Sequence, residues 1–463
     1  MPATVAECHE VIGELRQLLQ TQQEQIAKLQ EQMRLDSSNS SKPPSSDGPG
    51  KNRRERRASQ RKRGAQHGHP GAYRALVDEE QVDRIIECPV PPQCECGAEV
   101  ASQSEPLRHQ VFDVPAQIQA EVDEYRIYSG QCRVCGKAVR GALPAGVPRG
   151  QIGPRALALV GVLGTQYHLT QHKIRDLLAQ VLGVDFSVGA ISQAHGLVAQ
   201  ALAAPVQQVR QGLLQAAADA ATVVGMDETR YPREGTANWV WAAVLPKLVV
   251  FNILPSRARY VAKEMLGEQP KALLVSDRYV VYNWVDVQQR QVCWAHLLRD
   301  FQRMAERAGT AGRIGAKLLG VGYLLFRWRE QGRPAAAYQT LRRRVRRALE
   351  QGQTQTQCRR TQATCAELLK LEPALWSFLQ RPDLPPTNNA SERAIRNIVL
   401  KRKISGPTRS RRGDDFIARG YTVLETCKRQ GRNVLGFMNE AIGSWLGNGP
   451  APSLLPPVML ATA

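Results

Sequence analysis

Apolar residues at Val5, Cys8, Ile12, Leu15, Leu19, Ile26, Leu29 and Met33 fall on alternating three- and four-residue spacings, with Gln22 at one seam position. This heptad rhythm predicts a coiled coil over residues 1–35 and self-association to at least a dimer. The rhythm ends at Asp36, where DSSNSSKPPSSDGPG can neither extend a helix nor fill a core, so residues 36–75 read as a Ser/Pro linker and basic arm. Residues 76–150 carry little core but two short cysteine-glycine turns, with a hairpin expected between them. Over 151–215 the period becomes helical: GPRALALVGVLGTQYHL, HKIRDLLAQVLG and SVGAISQAHGLVAQAL are three amphipathic segments, the second stopped at Gly183 and the third opened by Ser187. They fit a helix-turn-helix-like DNA-binding domain whose third segment, Ser187 to Ala201, enters the major groove, and they fit a plain helical bundle equally well. Residues 216–296 switch to β-rich runs, TVVGM, NWVWAAVL, KLVVFNIL, ALLVS and QVCWA. A helical, Arg-rich segment is expected over 297–383, a restarted helix on Asn388 or Asn389 within 384–446, and a Pro-rich tail over 447–463.

The chain has 463 residues, too many for one compact core, so a multidomain α+β protein is expected. No apolar stretch reaches the roughly 18 residues of a membrane span, and the N-terminus lacks a secretory core, which points to a soluble, cytoplasmic protein. Lys and Arg number 62 against 42 Asp and Glu, a net +20. An excess of that size, clustered, favours DNA over small anions. Eight basic residues lie between Lys51 and Arg63, among them Arg53, Arg54, Arg56, Arg57, Arg61, Lys62 and Arg63; LRRRVRR follows at 341–347. From Arg393 to Arg412 eight more occur with no acid, including Arg393, Arg396, Lys401, Arg402 and Lys403, the candidate contacts to phosphate.

Chemistry enters with Asp227 in VVGMDETRY, Asp277 in ALLVSDRYVVY and Glu392 in NNASERAIR. The two aspartates close apolar runs that read as strands, and the glutamate opens a helix. Taken singly, each is better explained as a turn former, a cap or a charge matched to the helix dipole. Together, three carboxylates can hold two Mg2+ (or Mn2+) ions that act on a phosphodiester. Cys94 and Cys96 in QCECG, with Cys132 and Cys135 in QCRVCG, offer four thiolates for one structural zinc, a zinc-binding knuckle, with Cys88 a substitute ligand. Cys293 and His296 in CWAH could ligate metal as a pair, but packing is the preferred reading.

NSSKPPSSD, the two cysteine turns, MDETRY, SDRYVVYNW followed by CWAHLLRDF, and NNASERAIRNIVLKRK together resemble the transposases of the insertion sequence 66 family, in order and over nearly the whole chain. The resemblance implies a ribonuclease H-like α/β catalytic core of the DDE recombinase superfamily, divided into 216–296 and 384–446 by the helical insertion, with Asp227, Asp277 and Glu392 as its triad. It also implies a bacterial, nucleoid-associated enzyme that cleaves insertion-sequence ends and transfers them into target DNA, acting on terminal repeats and target, with other element-encoded proteins as further partners. The alternative is a DNA-binding accessory or regulatory protein whose acids are structural. Two departures from the pattern are the C-x-C spacing of the first turn and the Pro-rich tail.

Overall fold

The computed structural model describes residues 75–100, 107–115, 118–381 and 383–456, with Gln22 the one earlier position. The expected coiled coil, the basic arm from Arg53 to Arg63 and the last residues of the tail lie outside the described residues. The chain divides into a smaller unit ending at Gln119 and a larger one that resumes at Ala120. In the larger unit a short antiparallel pair comes first, β1 (Ser129–Gln131) and β2 (Ala138–Arg140), with Ser129 opposite Arg140.

Four helices follow: α1 (Pro154–Thr165), α2 (Gln171–Leu182), α3 (Val188–Ala201) and α4 (Ala203–Ala217). Their ends are those the sequence specifies. Pro154 starts α1, where its missing N–H costs nothing. Gly183 stops α2 at φ 66°, and the Ser187 hydroxyl accepts the Ala190 N–H at 3.1 Å to open α3.

The sheet then forms from β3 (Val223–Arg230), β4 (Trp239–Val244), β5 (Val249–Leu254), β6 (Leu273–Ser276) and β7 (Arg290–Val292), in the order β5-β4-β3-β6-β7. β3, β4 and β5 are an antiparallel meander; β6 and β7 run parallel to β3, and α5 (Arg259–Leu266) makes the first crossover. Two expectations are corrected. Asp227 does not end its strand, because β3 continues to Arg230 against Trp239 of β4. QVCWA is a strand only as far as Val292; Cys293 is already the cap of the next helix.

That helix, α6 (Trp294–Ala305), opens a helical layer with α7 (Gly309–Glu330), α8 (Gln339–Thr354) and α9 (Arg359–Lys370). The layer has its own core, built around Trp294, Phe301, Leu318, Tyr338, Leu349 and Trp376, and reaches Val275 and Val292, so it sits on the β6–β7 edge. The chain returns through α10 (Asn389–Ser405), α11 (Arg411–Gln430) and α12 (Val434–Leu446). A second core joins Leu157 and Val198 of the first helices through Tyr421 and Met438 to Phe251 and Trp241 of the sheet. Residues 151–215 therefore share one core with the sheet. Part of the Pro-rich tail also folds back: Leu454 is fully buried, and Gln430 Nε2 donates to its carbonyl at 2.9 Å.

Candidate active site and cationic face

Strand register places the first two acids. Gly225 lies opposite Val275 in the parallel β3–β6 pair, so Asp227 and Asp277, each two residues further on, emerge from neighbouring strands about 4.8 Å apart. Asp277 Oδ1 accepts the Tyr279 N–H at 2.9 Å, which fixes the turn leaving β6. Glu392 comes from the first turn of α10, which packs on β3 and β4. Its Oε1 lies 3.4 Å from His296 Nδ1 and 3.4 Å from Arg299 Nη2, both on α6. Both partners of Glu392 thus lie on a neighbouring helix.

Asp227 feels both other acids. Burial first, then the charges of Glu228, Asp277 and Glu392, raise its pKa well above the ordinary carboxylate range. Carboxylate oxygens are the ligands a hard cation takes. Among the described residues, the set of three ligand-type side chains with atoms within 4.8 Å of one another is Cys293, His296 and Glu392. The pair that the sequence suggested therefore gains a carboxylate. Burial pushes the Cys293 thiol up to about 11, and its sulfur accepts the Asn388 N–H at 3.1 Å, as a packed thiol does.

Several residues around the acids were not singled out from sequence. Glu228, on the opposite face of β3 from Asp227, is buried, bonded by Arg257 Nε at 2.8 Å and by the Tyr282 hydroxyl. Burial and the charge of Asp277 nevertheless raise it to about 7. Arg257 also stacks 3.9 Å above Tyr279, tying that network to the Asp277 turn. Arg290 is fully buried behind Asp277; it donates to Asn283 Oδ1 at 2.7 Å and to the Asp277 carbonyl at 3.3 Å. Arg278 joins the turn to the helical layer through Asp300 at 2.5 Å and Glu367 at 2.6 Å. Glu228 lay within the MDETRY string; Arg290 gave no signal, since an arginine in a short edge strand reads as solvent-facing.

The solvent face of α10 runs along Arg393, Arg396, Leu400, Lys403 and Ile404. The two arginines stand one and four positions beyond Glu392, so the helix that supplies an acid also supplies a cationic surface. Lys401 does not belong to it: it is 6% exposed, its Nζ donates to Leu169 O at 2.7 Å, and burial lowers it to about 8. Arg402 is partly exposed and bonds the Arg230 carbonyl. The expected groove-reading helix is likewise constrained. α3 is packed by α1, α2, α11 and α12, and from Ser187 to Ala201 only Ser187, Gly189, Gln193 and Gln200 are exposed. Its apolar periodicity came from a helix buried on most sides, which a one-faced reading cannot distinguish.

Each cysteine turn closes on its glycine. Gly97 N–H donates to Cys94 O at 2.8 Å with Gly97 at φ 86°; Gly136 N–H donates to Cys132 O at 2.9 Å with Gly136 at φ 69°. Glycine is needed at both for the left-handed backbone. Hydrogen bonds from Cys96 lower the Cys94 thiol, and those from Cys135 and Val134 lower Cys132, which favours the thiolates.

The family model described as the transposase IS66 family matches residues 149–415. A second model, a family of unknown function, DUF6444, matches residues 2–75. An uncharacterized protein, y4jO, from Sinorhizobium fredii (strain NBRC 101917 / NGR234) is 39% identical over 80 residues, covering 17% of this chain and 24% of that protein. The chain thus spans about a quarter of the length of that curated relative. Among the described residues, no helix is long and apolar enough to cross a membrane.

Proposed function

This chain belongs to the transposase IS66 family, and on that premise we propose that it is a DNA transposase of the DDE type, acting at insertion-sequence ends with Asp227, Asp277 and Glu392 as its catalytic acids. The observation that carries the reading is the register that sets Asp227 and Asp277 at neighbouring strands, with Glu392 on the helix packed against the first of those strands. A five-stranded mixed sheet with its first strand central supports a ribonuclease H-like core.

The donor set fits Mg2+ or Mn2+, which when bound would activate the attacking oxygen and stabilise the leaving oxygen of a phosphodiester. The chain's own residues do the rest. Asp227 and Asp277 present carboxylates from adjacent strands, and the Tyr279 N–H keeps Asp277 aimed. Arg299 offsets the charge of Glu392, whose Oε1 also lies 3.4 Å from Nδ1 of His296, an imidazole whose pKa burial lowers. Arg393 and Arg396 face solvent next to Glu392, where guanidinium forks would grip the phosphates flanking the scissile bond. Positioning and charge are what phosphoryl transfer asks of a protein. Each cysteine turn by itself, Cys94 with Cys96 and Cys132 with Cys135, favours thiolate, the form in which cysteine binds a structural zinc.

Asp227→Asn, Asp277→Asn and Glu392→Gln should each abolish Mg2+-dependent cleavage and strand transfer while leaving binding to element ends within a few fold. Full strand transfer by any one of them would overturn the triad. Ends bound normally, with neither wild type nor variants cleaving, would favour the accessory DNA-binding alternative.

A further inference from the structure

One buried amide joins the elements that carry the acids. Asn388 is 2% exposed and lies just before α10. Its Nδ2 donates to Met226 O at 2.6 Å, the carbonyl immediately before Asp227. Its backbone N–H donates to Cys293 Sγ at 3.1 Å, where β7 gives way to α6 and hence to His296 and Arg299. Its own carbonyl accepts the N–H groups of Ser391 at 3.1 Å and Glu392 at 3.2 Å.

An asparagine at this position normally turns its side chain onto its own helix, accepting an N–H from the first turn. Asn388 makes no such cap bond; its amide is diverted across to β3. The surfaces it joins are in close apposition. A Cβ added at Gly225 would lie 3.0 Å from Asn388 Oδ1 and inside contact distance of Ser391 Oγ, itself fully buried. Strand β3 and the start of α10 thus approach as nearly as a residue without a side chain allows.

We infer that Asn388 is a positioning residue: through Met226 O, Cys293 Sγ and the first turn of α10 it sets the separation of Asp227 from Glu392, and so the affinity of the three acids for divalent cations. The inference rests on the reading of those acids as metal ligands. Groups behind metal ligands typically change metal affinity about 10- to 100-fold when removed.

The test is Mn2+ binding to the full-length protein by calorimetry, together with Mn2+ titration of DNA-end cleavage. Asn388→Ala should weaken Mn2+ about tenfold or more, shift the cleavage curve to higher Mn2+ by a similar factor, and recover much of the wild-type rate at saturating Mn2+. Asp227→Asn should recover at no concentration. Gly225→Ala should reproduce the affinity loss from the strand side, and Gly225→Ala with Ser391→Ala should restore part of it by clearing the hydroxyl. Wild-type Mn2+ binding and an unshifted curve in folded Asn388→Ala would overturn the inference. Should Asn388→Ala fail to fold, the Gly225 pair decides: loss with partial restoration supports positioning, and wild-type affinity in Gly225→Ala overturns it. Equal Mn2+ binding by wild type and Asp227→Asn would instead overturn the triad reading itself.

Discussion

On the proposed reading, a proton and a cation compete at Asp227 for the same oxygens. Burial and three neighbouring acids raise its pKa, and Glu228 behind it is raised to about 7. Acids whose folded pKa exceeds the unfolded value add stability at low pH and lose it as pH rises through the folded value. The metal-free protein should therefore lose stability between the ordinary carboxylate range near about 4 and Glu228's about 7 or above. A divalent cation takes the ionised form, so Mg2+ should raise the melting temperature more at pH 8 than at pH 6, and its binding should release protons. An equal Mg2+ effect at both pH values in thermal unfolding would show that Asp227 is already ionised without metal. The three acids proposed as the triad stand out in the sequence because each lies in a distinctive string. Asn388 and Arg290 were not, because their importance lies in hydrogen bonds to residues 162 and 13 positions away. Lys401 was misread for a related reason: the sequence KRK shows three cations, but only the packing against Leu169 reveals which one faces inward.

Among the elements, α7 shows how glycine decides the approach of two helices. A Cβ at Gly315 would collide with the backbone of Met304 and Ala305 in α6, whereas at Gly320 it would meet nothing within 4 Å. Alanine in an exposed helix interior gains up to about 1 kcal/mol over glycine from backbone entropy alone. At Gly315 that gain is opposed by overpacking of about 1–3 kcal/mol or more, since backbone atoms cannot rotate aside. Gly320→Ala should raise the melting temperature and Gly315→Ala should lower it; two shifts of the same sign would refute the close α6–α7 contact. Helix and strand types over 154–446 could be read from periodicity and end signals, including Gly183 and Ser187. What could not be read was how many sides of a helix are covered. The apolar face of α3 marked it as amphipathic, but elsewhere on its surface Gly196 is met by Arg412 and His195 stacks on Phe416, both of α11.

Across the whole molecule, the charge excess and the folded core pull the DNA-binding question in different directions. Near the acids the cationic face is limited, because Lys401 is inward and Arg278 and Arg257 are spent on carboxylates. Arg393 and Arg396 remain beside the acids, and the eight basic residues from Lys51 to Arg63 add a second set outside the described residues. Contacts to phosphate release counterions, each contributing about 0.9 to the slope of log K against log salt. Replacing the eight basic residues of the arm by Ser should therefore weaken binding to element ends and random duplexes alike and flatten the slope by several units. Arg393→Ala with Arg396→Ala should flatten it by no more than about 2 while slowing cleavage disproportionately, since these side chains stand next to Glu392. Lys401→Met should leave the slope unchanged. The expected order of slope change is thus arm, then the α10 pair, then Lys401 at zero, measured by fluorescence anisotropy over a salt series. An arm variant that lost only its preference for ends, with slope and random-sequence affinity intact, would make the arm a sequence reader. A Lys401→Met slope that fell by about 0.9 would place that ammonium on phosphate after all, and would require α10 to leave its seat on Leu169 when DNA binds.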